Sequence, residues 1–124
     1  MAIKLSSRQQ AQLAFLETLP PKFHRMHAVI EEMSALRADE VVVRGFARQL
    51  DELKANAAAL SIPGLADTAG LMATMARRGG GLQMKVRGLR ELLGSLKINF
   101  EGAMRAATTA ATPDQEESGK DPAP

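Results

Sequence analysis

Cysteine, tryptophan and tyrosine are absent from this 124-residue chain, and phenylalanine occurs only four times. The lack of cysteine excludes a disulfide scaffold, a thiolate metal site and a cysteine nucleophile. With aromatic residues at 3%, a core has to be assembled from Ala, Leu, Met and Val, which is the material of helix–helix packing rather than of sheets. Long apolar runs are missing as well. None approaches the roughly 18 residues needed to span a bilayer. The stretch Met1–Ser7 has no apolar segment of the secretory kind, so a cytoplasmic protein with no membrane partner is expected. No β-pattern appears beyond the β-branched run Val41-Val42-Val43, three residues inside a helical frame.

Hydrophobic residues make up 45% of the chain, enough for one domain with a real core. The net charge of +2 is unevenly placed. Residues 108–124 carry Asp114, Glu116, Glu117 and Asp121 against Lys120, which leaves the body 1–107 with an excess of positive charge. Such an excess suits an acidic protein surface.

Apolar spacing outlines five helices. Ser6 or Ser7 caps a first one running to about Leu19, where Pro20-Pro21 ends it and Pro21 opens the next. The second carries Phe23, Met26, Ile30 and Met33 on one face and fades near Arg37-Ala38. Asp39 caps a third, whose stripe is Val43, Phe46, Leu50, Leu53, Ala57 and Leu60. Ser61 is the expected cap of a fourth, carrying Leu65, Ala69, Met72 and Met75 or Ala76 and ending at Arg77-Arg78 and Gly79-Gly80-Gly81. A last helix runs from about Leu82 to Ala107 with Val86, Leu89, Leu92, Leu93, Leu96 and Phe100 inward. The expected architecture is an all-α, antiparallel (up-down-up-down) four-helix bundle with a short extra N-terminal helix over residues 1–107, then a disordered acidic Pro/Thr/Ala tail over 108–124.

Few constellations point to chemistry. His24 and His27 are the only histidines, and with Glu31 they make at most a partial metal set that lacks a fourth ligand. Neither a metal nor a cofactor is expected. The triple glycine lacks the spacing of a phosphate loop and reads as a connector. Seven basic residues between Arg77 and Arg105 face only Glu91 and Glu101, yet no Tyr or Trp is interleaved for base stacking, which argues against nucleic acid and leaves a solvated face or an acidic protein partner. Most methionines fall at inward spacing and serve as adaptable core filling. No arrangement typical of a hydrolase or a thiol enzyme is present, so no enzymatic activity is expected.

The informative stretch is Asp51-Glu52-Leu53-Lys54-Ala55-Asn56-Ala57-Ala58-Ala59-Leu60-Ser61-Ile62. It resembles the signature of histidine phosphotransfer domains, His-x-Leu-Lys-Gly followed six residues on by a small residue, usually after a leucine. Leu53-Lys54 match, Ala55 stands in for the first glycine, Leu60-Ser61 for the Leu-Gly pair, and Asp51 occupies the place of the phosphoacceptor histidine. A register with Arg48 in that place loses both the lysine and the small residue. The resemblance extends over roughly residues 12–105, with its specific part in these dozen. It implies a bacterial two-component signalling protein that has lost its acceptor and docks a response-regulator receiver domain or a histidine kinase as an adaptor or inhibitor. The contact residues it implies are Asp51, Lys54, Ala55 and Ala58, with Arg48 and Asn56 at the margins. The alternative is a structural, assembly or chaperone-like bundle that takes a partner helix in an apolar groove. A flat small-residue patch ringed by charge around Asp51 would favour the first; an open groove of Met and Leu would favour the second. Oligomeric state is left open.

Overall fold

The computed structural model describes residues 5–109, and those residues form five α-helices and no strand. The expected tail beyond Thr109 lies outside the described residues. Helix α1 spans Ser7–Leu16, α2 Leu19–Ser34, α3 Glu40–Ala59, α4 Pro63–Arg77 and α5 Leu82–Thr108.

Ser6 caps α1 as its residue type predicts: its hydroxyl accepts from the Gln9 N–H at 3.0 Å, and the Gln9 side chain accepts in return from the Ser6 N–H at 2.9 Å. This reciprocal pair satisfies two otherwise orphaned donors. Helix α1 is shorter than its apolar spacing suggests. It ends at Leu16, and Pro20-Pro21 belong to the first turn of α2, where a missing N–H costs nothing. The break comes instead at Glu17-Thr18, where the Thr18 hydroxyl donates to the Phe15 carbonyl at 2.6 Å. Asp39 caps α3 through the Val42 N–H at 2.9 Å.

Two helix ends differ from the sequence expectation in the same way. Helix α2 stops at Ser34 rather than near Arg37, because Leu36 takes a left-handed backbone (φ 61°). The Arg37 N–H then donates to Glu32 at 2.8 Å and the Leu36 N–H to Met33 at 3.0 Å, the two bonds of a Schellman turn. Ser61 (φ 61°) builds the same turn after α3, with Ile62 N–H to Ala57 at 2.8 Å and Ser61 N–H to Ala58 at 3.1 Å. Ser61 therefore closes α3 instead of opening α4, whose cap position is Ile62 with Pro63 as the first helical residue. Leu36 is 78% exposed, so its side chain gains little from the strained position. Leu36→Gly is expected to raise stability by about 0.5–1 kcal/mol, the left-handed penalty less the entropy cost of glycine, read as a shift in the urea midpoint. An unchanged or lower midpoint would mean that Leu36 packs more than its exposure suggests.

Packing closes a ring in which α2 touches α5, α5 touches α4, α4 touches α3, and α3 touches α2 more sparsely; α1 lies on α5. The α3–α4 interface is the most extensive. Its helices bury small residues, Ala47 and Ala57 on α3 and Ala66, Ala69, Ala73 and Ala76 on α4, which lets two backbones approach closely. The larger core side chains are Leu16, Leu19, Met26, Ile30, Phe46, Leu50, Leu65, Met72, Leu89 and Leu96, all fully buried. Phe23 of α2 and Phe100 of α5 meet edge to face, ring centres 5.4 Å apart. Thr68, the one buried polar side chain among the described residues, donates to Asn99 Oδ1 at 2.7 Å and so ties α4 to α5. Met26, Met33 and Met72 are buried as their spacing implies, whereas Met84 is 79% exposed and is not a core residue. Helix α5 continues one residue past Ala107, into what the sequence assigns to the tail.

Candidate functional site

Helix α3 is built to show one polar stripe. Its apolar residues at 46, 50, 53 and 57 turn inward, which leaves Arg48, Asp51, Lys54, Ala55 and Ala58 on the exposed side. These five share an arc of about 120° around the helix axis, since each residue advances about 100°. Asn56 is exposed too, but it projects from the other flank and does not join them. Arg44 extends the stripe toward the N-terminus, where it lies 3.8 Å from Glu40.

The flank bearing Asp51 and Lys54 turns toward α4. Arg77, in the last turn of α4, grips Asp51 with both arms: Nη1 donates to Oδ1 at 3.2 Å and Nη2 donates to Oδ2. Hydrogen bonding from this guanidinium, with its charge and that of Lys54, holds the Asp51 carboxyl below the usual aspartate range and raises Arg77 in turn. The side chain of Lys54 lies across Gly70, where an added Cβ would sit 3.2 Å from Lys54 Cδ and 3.4 Å from its Nζ. Arg77, from the next helix, and not Lys54, one turn along α3, is thus the hydrogen-bonded partner of Asp51. Asp51 is stapled to α4, and the lysine is laid flat over a glycine.

No family model, no curated protein and no solved structure matches this chain.

The surface that results is shallow and mostly cationic. Ala55 and Ala58 leave it low, Arg48, Lys54 and Arg77 supply positive charge, and Asp51 is already bound on both oxygens, while Glu40 and Glu52 stand exposed at its edges. Arg77 and Gly70 are the residues that sequence spacing overlooks. A signal for them exists in the three-residue link between α3 and α4, which returns the chain beside itself and sets the end of α4 against the middle of α3.

The histidines lie elsewhere. His24 and His27 are exposed on α2 and border a hollow of about 380 Å³ with Phe23, Lys97, Phe100 and Glu101. Glu31, their candidate co-ligand, is occupied by Arg90 of α5, whose Nε and Nη2 donate at 2.9 and 2.8 Å. Those hydrogen bonds hold the Glu31 carboxyl below the usual glutamate range. Among the described residues no group of three or more His, Cys, Asp or Glu is placed to hold a metal ion. No helix among them is long and apolar enough to cross a membrane.

Proposed function

We propose that the chain is a phosphotransfer-like helical bundle that binds a response-regulator receiver domain or a histidine kinase through the exposed face of α3 without carrying phosphate itself. The observation that carries this reading is the state of the acceptor position. Asp51 is engaged on both oxygens by Arg77, while the shallow cationic surface around it stays open. A flat patch of small residues ringed by charge is what an adaptor that has lost its acceptor requires. The backbone adds support at Ser61, which stands where the phosphotransfer motif has its second glycine and adopts the left-handed conformation that favours glycine. In this reading the ring of α2, α5, α4 and α3 is an antiparallel, up-down-up-down bundle. Its links of three residues between α3 and α4 and four between α4 and α5 are of the length that reverses a helix.

Lys54 and Arg48 would meet the acidic pocket of a receiver, so association is electrostatically steered and weakens with salt. The test mixes the full chain with a panel of phosphorylated receiver domains and follows complex formation and label transfer together. Binding without label is expected, with Lys54→Glu at least about tenfold weaker and more so at low ionic strength. Acid-labile label on His24 or His27 would make the protein a working relay. Absence of binding across the panel would favour the assembly or chaperone reading.

A further inference from the structure

The outer seam between α4 and α5 carries two adjoining hollows that share Met75 and Arg78. One, of about 250 Å³, is bordered by Gly81, Met84 and Lys85; the other, of about 390 Å³, by Leu71, Gly88, Glu91 and Leu92. Leu71 and Met84, 59% and 79% exposed, stand at this seam as unusually bare apolar side chains.

Helix α5 reads as its own complement here. Lys85 lies three residues before Gly88 and Glu91 three after it; Met84 lies four before and Leu92 four after. We propose that the chain forms a two-fold symmetric dimer through this seam, with two α5 helices crossing antiparallel at Gly88. Each Lys85 then meets the Glu91 of the second copy. Each exposed Met84 enters the hollow that Leu71 and Leu92 border on the other copy. Gly88 has no side chain of its own at the crossing point, so the backbones near each other once the Met75 side chain that covers it swings aside. Met75 lies over that glycine, where an added Cβ would collide with its Sδ and stand 2.8 Å from its Cε. Its unbranched side chain repacks readily.

Charge complementarity selects a second copy over a foreign helix. Among the described residues neither Lys85 nor Glu91 forms an ion pair within the chain, and the only hydrogen bond of the Lys85 amine is a long one of 3.4 Å to the Ala76 carbonyl. A two-fold axis at Gly88 gives both charges a partner, twice. The seam shares no residue with the Arg48–Ala58 stripe or with Gly70 and Arg77 beside it, so the inference stands whatever docks there.

Analytical ultracentrifugation of the full chain tests it. The wild type is expected to sediment as a dimer. Lys85→Glu and Glu91→Lys each set two like-charged pairs face to face and should weaken self-association at least about tenfold. The double variant restores opposite pairs and should dimerise again. An equimolar mixture of the two single variants should form a heterodimer, because one brings two carboxylates and the other two ammonium groups. Glu91→Lys removes no partnership within the described chain, so its effect is readable even where Lys85→Glu loosens the end of α4. A wild type that stays monomeric up to about 1 mM overturns the dimer. So does a folded Glu91→Lys protein that still dimerises, or a mixture of the single variants that stays apart.

Discussion

Phe46→Ala is expected to remove about 3–5 kcal/mol of stability, the range for deleting a buried aromatic side chain from a core that collapses only partly. Phe46 is 2% exposed in the first half of α3, and it is the largest of the fully buried side chains. The other phenylalanines offer no substitute: Phe23 and Phe100 are committed to each other, and Phe15 is half-buried on α1. Much of the core elsewhere is alanine, which has no rotamers with which to swing into a hole. Helical circular dichroism against urea is the measurement, since the chain has no tryptophan or tyrosine to report by fluorescence. The midpoint should fall with an unchanged slope. A loss under about 1 kcal/mol would mean that α3 and its neighbours close over the space, contrary to the close packing described.

Ala69→Leu acts in the opposite sense, by overfilling. Ala69 is fully buried on α4, in a run of four alanines at positions 66, 69, 73 and 76. Adding three carbons there is expected to cost about 1–3 kcal/mol, because either the leucine leaves its rotamer or α4 backs away from α3. The second response has a further reading. The Asp51–Arg77 clasp and the lysine laid on Gly70 both depend on the separation of these helices. Arg77→Gln should therefore cost less in the Ala69→Leu protein than in the wild type, a departure from additivity visible in a double-mutant cycle. Strictly additive losses would show that the alanine seam does not set the spacing that the clasp uses.

Helix content and the inward faces were legible in the sequence because both are local. The stripe through Phe46, Leu50, Leu53 and Ala57 needs only a period of 3.6, and Ser6 and Asp39 cap their helices by residue type alone. Misreadings arose where one residue type serves two purposes. Proline ends a helix as readily as it opens one, so the pair at 20 and 21 did not reveal which helix owned it. Serine is a favoured cap, yet Ser61 bends the chain left-handedly after α3, a place where glycine is the usual signal. At the candidate site, the exposed stripe of α3 is legible as five residues on one arc, while Asn56, a marginal residue in the sequence reading, projects from the other flank. Arg77 and Gly70 come from another helix, 26 and 16 residues away from Asp51 and Lys54 along the chain. No periodicity within α3 contains them.

Gln9 has a consequence for how the chain folds. Its amide, already holding Ser6 in the cap of α1, also donates to the carbonyls of Ala106 and Thr109 at 3.1 and 2.6 Å, across about a hundred residues of chain. A contact of that span closes a loop of nearly the whole described chain, and loop closure slows as sequence separation grows. The α3–α4 pair, joined by three residues, has no such wait. Helix α1 meets the Leu60 carbonyl through Gln12 at 2.8 Å once α3 is in place, but its Gln9 clasp waits for the carbonyls at the C-terminal end of α5.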